Sequence, residues 1–142
     1  ASMEKLLEWL DKEKQYDVTI IYLDLNKFKE VNDTYGHDKG DVVLCIFSTV
    51  LTEVFGELGY VGRLGGDEFI VVLQNTPEEY VEQMCNVVGL RLKEKSKDLE
   101  FGQIISTSYG YATRKKGSKE SLDDIIMKAD EKMYQNKKDG RK

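Results

Sequence analysis

The sequence is poor in the residues on which several kinds of functional site depend. Its 142 residues include two cysteines, one histidine and one proline. Cys45 and Cys85 match no metal-ligand spacing and lie among apolar residues, so we expect buried structural thiols in a reducing compartment. His37 has no obvious nucleophile beside it, which argues against triad chemistry.

Positive charge is also in deficit. The chain has 21 Lys and Arg against 26 Asp and Glu, a net charge of −5, which argues against a broad nucleic-acid-binding surface. An anionic ligand would have to be held by local groups and metal ions. No apolar run approaches the roughly 20 residues of a membrane span, and no signal peptide is visible. We therefore expect a cytoplasmic domain without direct membrane contact, which is compatible with a membrane anchor elsewhere in a longer parent protein.

Hydrophobic periodicity predicts helices over residues 3–15 and 41–55, from Pro77 onward, and over 122–134. Strands are predicted at 18–25, 60–64, 68–73 and 104–112, and residues 27–40 are interpreted as a polar stretch. This order is the split βαβ pattern of an α+β, ferredoxin-like sheet, in which the first and third strands are antiparallel neighbours at the centre. The end of the first strand should then meet the start of the third.

Three carboxylates fall at that meeting point: Asp24 ends the first strand, and Asp67 and Glu68 begin the third. Clustered carboxylates repel unless a cation intervenes, and oxygen ligands favour Mg²⁺ or Mn²⁺ over zinc. Two such ions at one edge of a sheet commonly catalyse displacement at a nucleotide phosphate, because they activate the attacking hydroxyl and neutralise the leaving group. Gly65 and Gly66 lack a Cβ and would let a phosphate or ribose approach the backbone. The alternative is a plain Gly-Gly hairpin with two solvated acids.

Two further constellations suit a nucleotide. Asn32 and Asp41 could together recognise the guanine edge, because the amide both donates and accepts while the carboxylate accepts from N1–H and N2–H₂. Their alternative role is turn and helix-cap chemistry. Lys137 and Arg141 lie one helical turn apart and could clamp a triphosphate, or they belong to a solvated basic terminus. His37 fits either loop packing or a nucleotide contact.

Four motifs in order and spacing resemble a GGDEF domain, the catalytic module of bacterial diguanylate cyclases, over essentially the whole chain. They are the signature at residues 65–69, DLNKFK at 24–29 with Asn32-Asp33, Gly36-His37 with Gly40-Asp41, and the closing residues Ala129-Asp130, Tyr134, Lys137, Gly140 and Arg141. The resemblance implies one GGDEF domain over residues 1–142, truncated at both ends because the family's usual first and last segments are missing. Asn26 stands where an Asp is common, a change that we expect to be tolerated.

The resemblance also implies a reaction. Two GTP molecules condense to cyclic di-GMP with release of pyrophosphate, each 3′-hydroxyl attacking the other α-phosphate. Two Mg²⁺ or Mn²⁺ ions per site would be held by Asp24, the Leu25 carbonyl and Asp67, with Asp67 accepting the hydroxyl proton and Glu68 assisting. The resemblance implies that Asn32 and Asp41 recognise guanine, that Lys137 and Arg141 hold the phosphates together with the main chain around Phe28 and Lys29, and that His37 contacts the substrate. Gly65 and Gly66 are added to the substrate-binding residues because their backbone can be approached closely.

One site binds one GTP, so the resemblance implies a transient antiparallel homodimer, with a regulatory sensor domain in the parent protein. Residues 56–59 lack the Arg-x-x-Asp of the family's product-inhibition site, which predicts no feedback through that site. Two other interpretations stay open. One is a catalytically silent GGDEF domain that senses GTP or dimerises, and the other is a related cyclase with a different cyclic product.

Overall fold

The structure is a computed structural model that describes residues 3–99 and 105–138. The described helices are α1 (Met3–Lys12), α2 (Phe28–Tyr35), α3 (His37–Phe55), α4 (Glu78–Ser96) and α5 (Leu122–Lys138). The described strands are β1 (Val18–Leu25), β2 (Gly59–Gly65), β3 (Glu68–Gln74) and β4 (Thr107–Arg114). None of these described helices is long and apolar enough to cross a membrane.

The four strands form one antiparallel sheet in the order β2-β3-β1-β4. β1 lies in the interior of the sheet and pairs with β3 from Val18↔Gln74 to Asp24↔Glu68. On its other side it pairs with β4, ending at Leu25↔Thr107. The α+β, ferredoxin-like prediction is confirmed, and so is the central pairing of the first and third strands.

Every residue of β1 is buried, because both faces of the sheet are covered. Ile21 and Leu23 point into the core formed with α3 and α4, whereas Ile20 and Tyr22 pack in a second core with α1 and α5. Successive side chains of a strand alternate between faces, so a strand covered on both sides needs apolar residues throughout. That requirement explains the nearly unbroken apolar run.

No helix was predicted within the polar stretch 27–40, and the predicted start of the next helix at residue 41 is wrong. Residues 28–35 form α2, and α3 begins at His37 rather than at residue 41. α2 buries only Val31, so it lacks the apolar stripe that reveals a helix in a sequence. Gly36, at φ 90°, separates the two helices. Asp41 consequently lies inside α3 and is not its N-cap.

The two cysteines differ in environment. Cys85 is 1% exposed, and burial raises the pKa of its thiol above the usual value. Cys45 is exposed on α3, so the expectation of two buried thiols is wrong for this residue. The apolar positions of α3 that reach the core lie on its other side, among them Val43 and Phe47.

Arg114 fixes α1 to the rest of the molecule. Its side chain is 1% exposed and lies 3.0 Å from the Asp11 carboxylate, to which it donates. It also donates to the main-chain oxygens of Leu10 at 2.6 Å and Glu13 at 3.1 Å, which belong to the end of α1 and the residue after it. The buried guanidinium therefore satisfies carbonyl groups that a helix end leaves without partners.

Candidate active site

Two carboxylates meet across neighbouring strands at one edge of the sheet. Asp24 lies directly opposite Glu68 in the β1–β3 register, and the Leu25 amide donates to the Asp67 carbonyl at 3.4 Å. Like charges directly opposite each other destabilise a strand pair unless something neutralises them. The topology thus places the three predicted acidic residues at the same edge.

Asp24 is buried and only half satisfied. The residue is 7% exposed; Oδ2 accepts a hydrogen bond from Lys137 Nζ at 2.9 Å, and Oδ1 is buried without a partner. Burial raises the pKa of the Asp24 carboxyl; Lys137 acts in the opposite direction, and the charges of Asp67 and Glu68 raise it again. A cation beside Oδ1 would give this oxygen a partner and would offset the negative charge of Asp67 and Glu68.

The packing of α5 on β4 brings Lys137 to this position. A Cβ added at Gly110 would lie 2.7 Å from the Lys132 carbonyl carbon, so the missing side chain lets the helix backbone lie against the strand. Asn136 then donates to the Tyr109 carbonyl at 2.7 Å in the last turns of α5. The next residue is Lys137, whose ammonium contacts Asp24 at the end of β1.

The donor chemistry at this edge fits a hard divalent cation. Within residues 3–99 and 105–138, no three acidic, histidine or cysteine side chains are grouped so that they could hold a metal ion. Mg²⁺, however, is usually bound through one or two carboxylates together with substrate phosphates rather than by an all-protein cage. The fit rests on the unpaired Asp24 oxygen and on the negative charge of Asp67 and Glu68 near it.

The Gly-Gly turn needs its glycines for backbone conformation. Gly66 has φ 51° and Gly65 φ 155°, and the β2–β3 register shifts between Arg63 and Gly65. A Cβ at either glycine would meet no atom within 4 Å, so the space outside the turn is open. That openness agrees with the prediction that a ligand could approach the backbone here.

Sequence reasoning missed two neighbours of the acidic residues. Arg63 donates to the Gly66 carbonyl from Nε at 2.9 Å and from Nη2 at 2.6 Å, which orders the turn before Asp67. Tyr22 lies beside Glu68, and burial followed by the Glu68 charge raises the pKa of its hydroxyl. The period of two along β1 could have placed Tyr22 on the face of Asp24, whereas no sequence signal indicates the contact of Arg63.

The predicted guanine residues lie on α2 and α3. Asn32 Oδ1 is buried without a partner. Asp41 is exposed at the rim of a cavity of about 440 Å³ between α3 and the β2–β3 hairpin. Besides Asp41, the cavity is lined by Leu44, Cys45, Ser48, Thr52, Val61, Gly62, Arg63 and Phe69. Arg63 thus connects the cavity of Asp41 to the Gly-Gly turn.

The predicted phosphate residues are only partly described. Phe28 and Lys29 open α2, whose N-cap, Lys27, has φ 61° and makes no side-chain cap hydrogen bond. Uncapped N–H groups at a helix start suit an anion. His37 is the exposed first residue of α3. Arg141 lies outside the described residues.

Asn26 ties the end of β1 to the strand beside it. Its amide donates to Ser106 Oγ at 2.9 Å and accepts from Ser108 Oγ at 2.7 Å, while its main-chain N–H donates to the Ser106 carbonyl. Serine hydroxyls can donate as well as accept, so a carboxylate at this position would also find partners. The amide therefore fixes the end of β1 to Ser106 and Ser108.

The domain is of the α+β, ferredoxin-like class, with acidic residues grouped at one end of its sheet, and comparison with known proteins identifies the family. The model of the diguanylate cyclase GGDEF domain matches residues 2–142, so the chain belongs to the GGDEF family. A diguanylate cyclase of Vibrio cholerae serotype O1 is 32% identical over 130 residues, which are 92% of this chain and 40% of that protein. The chain thus spans less than half of this relative.

Solved structures agree. The GGDEF domain of DgcB from Caulobacter crescentus, in complex with c-di-GMP, has a TM-score of 0.87 at 25% identity, covering 97% of this chain and 83% of that one. The active GGEEF domain of a diguanylate cyclase from Vibrio cholerae has a TM-score of 0.79 at 30% identity, covering 97% and 85%. The fold found here is that of the family.

Proposed function

We propose that this domain is a diguanylate cyclase, which condenses two GTP molecules into cyclic di-GMP and releases two pyrophosphates. The observation that carries the proposal is the buried Asp24 carboxylate, which has one oxygen unpaired and lies opposite Glu68 beside an intact Gly-Gly turn. A catalytically silent domain has no need to bury a carboxylate and leave one of its oxygens without a partner, because a buried polar atom without a hydrogen bond costs stability.

Asp24, the Leu25 carbonyl and Asp67 would hold two Mg²⁺ or Mn²⁺ ions. When bound, such ions neutralise the triphosphate and help to ionise the attacking 3′-hydroxyl. Asp67 is the proton acceptor for that hydroxyl, and its position in the turn ordered by Arg63 supports this role. Glu68, directly across from Asp24, adds negative charge beside the ions.

The substrate would extend from the acidic edge toward α2 and α3. Asn32 and Asp41 recognise the guanine edge, and the uncapped start of α2, around Phe28 and Lys29, binds phosphate oxygens. In the absence of nucleotide, Lys137 neutralises Asp24; with a triphosphate present its ammonium is free to pair with phosphate. The remaining proposed substrate contacts are those of Gly65, Gly66, His37 and Arg141.

Catalysis requires two domains, because one site holds one GTP and the reaction joins two. We therefore include in the proposal a transient antiparallel homodimer that presents two loaded sites to each other. A sensor domain in the parent protein would set the local concentration of the partners. Weak dimerisation of the isolated domain is expected, and sedimentation velocity at micromolar concentration measures it.

The test is incubation of the domain with GTP and Mg²⁺, followed by mass spectrometry of the products. Cyclic di-GMP and pyrophosphate are expected. Asp67→Ala should abolish product formation, whereas the control Asp123→Ala, at the opposite end of α5 from Lys137, should not. Saturable GTP binding without product would identify a silent GTP-binding domain, and another cyclic nucleotide would identify a different cyclase. Unchanged turnover in Asp67→Ala would refute the proposed chemistry.

A further inference from the structure

Gly40 and Asn32 make a contact that a larger residue would destroy. Gly40 is buried within α3, and a Cβ built on it would lie 2.9 Å from Asn32 Cγ and still closer to Oδ1. Outside the chain neighbours and the backbone of α3 itself, the three described atoms nearest to that Cβ all belong to the Asn32 amide. Gly40 does not have a positive φ, so the backbone itself does not require glycine here.

Both members of this contact are unfavourable for folding. Glycine within a helix costs about 0.5–1 kcal/mol relative to alanine. Asn32 Oδ1 is buried without a hydrogen-bond partner, a further cost of the order of 1–3 kcal/mol. A packing role alone would be served better by alanine at position 40 with the Asn32 amide turned to solvent.

We propose that Gly40 is a positioning residue for base recognition: because it has no side chain, the Asn32 amide can lie against α3 at the residue before Asp41. The inference rests on the proposed function, because it takes Asn32 and Asp41 as the residues that recognise guanine. Gly40 touches no substrate in this scheme. It acts only by leaving room for the amide in this orientation.

The physical argument predicts a separation between stability and binding. A methyl group at position 40 would collide with the end of a side chain, so rotation of Asn32 relieves the clash more easily than movement of either helix. The rotated amide leaves its recognition geometry but no longer buries an unpaired oxygen. The fold should therefore tolerate Gly40→Ala, while guanine binding should not.

The experiment measures binding of 3′-deoxy-GTP and 3′-deoxy-ATP, which lack the attacking hydroxyl, by isothermal titration calorimetry with Mg²⁺. The proteins are the wild type, Gly40→Ala, Asn32→Ala and the double variant. Gly89→Ala is the matched control, because Gly89 also lies within a helix and its added Cβ meets no atom within 4 Å. Thermal unfolding of each protein is recorded in parallel.

We expect Gly40→Ala to lose about tenfold in affinity for the guanine nucleotide, the effect of about one hydrogen bond, with little change for adenine. The double variant should bind like Asn32→Ala, because the two changes remove the same interaction. Gly89→Ala should bind like the wild type. The melting temperature of Gly40→Ala should stay within a few degrees of the wild type.

Wild-type discrimination in Gly40→Ala, or additive losses in the double variant, would overturn the inference while leaving the proposed function intact. A wild type that does not discriminate between the two bases would instead refute guanine recognition, and the inference with it. If Gly40→Ala does not fold, the double variant decides: recovery of folding on removal of the Asn32 amide supports the contact, and failure to recover overturns it.

Discussion

Lys137→Met tests whether Lys137 stabilises the buried charge of Asp24 in the folded protein. Lys137 Nζ lies 2.9 Å from Asp24 Oδ2, and the side chains are 40% and 11% exposed. Oδ1 has no hydrogen-bond partner, so removal of the ammonium leaves the buried carboxylate with none of the side-chain partners seen here. Loss of a hydrogen bond to a charged group costs about 1.5–3 kcal/mol, and the exposure of Lys137 favours the lower end.

Urea unfolding in EDTA measures this loss as a lower midpoint at an unchanged slope. Lys138→Met, the same change at the neighbouring exposed position, is the control and should unfold like the wild type. In an Asp24→Asn background the effect of Lys137→Met should largely disappear, because no buried charge is left unpaired. Mg²⁺ should stabilise Lys137→Met more than the wild type. The reasoning is wrong if Lys137→Met matches Lys138→Met, or if its loss persists undiminished with Asp24→Asn.

Three further predictions follow from other parts of the molecule. Arg114→Met should destabilise the domain by about 3 kcal/mol, because carbonyl oxygens at the end of α1 lose a buried charged donor. Urea unfolding measures the loss, and a value below about 1 kcal/mol contradicts the prediction. Iodoacetamide should label Cys45 in the folded protein and Cys85 only after denaturation, as peptide mass spectrometry would report; equal labelling of both contradicts the assigned environments. Residues 56–59 lack the Arg-x-x-Asp motif, so any inhibition of turnover by cyclic di-GMP should be competitive with GTP. Saturable non-competitive inhibition in a titration would refute this.

The sequence was sufficient for the parts of the fold that depend on burial. The long apolar run of β1 predicted a strand covered on both faces, and the element order then predicted that Asp24 meets Asp67 and Glu68. α2 escaped prediction because it buries a single apolar residue, Val31. Helical periodicity is visible only where a helix face is committed to the core.

The parts of the site that were not predicted are a contact between two side chains far apart in sequence and a contact between a side chain and a turn carbonyl. Lys137 was predicted as a phosphate ligand, and its partner Asp24, 113 residues away, follows from the packing of α5 on Gly110. The role of Arg63 depends on where the Gly66 carbonyl points, which a turn type alone does not fix. The assignments of catalytic and substrate-binding roles stay predictions.

Because β1 lies in the interior of the sheet, Asp24 is less mobile than its partner Lys137. The strand that carries the carboxylate is hydrogen-bonded on both sides, and such amides exchange with solvent only when much of the sheet opens. Its counter-ion sits on a long, partly exposed side chain in the last turn of α5, where nanosecond rotamer changes suffice to release it. An arriving ligand thus meets an immobile anion whose resident cation can leave without any movement of the sheet.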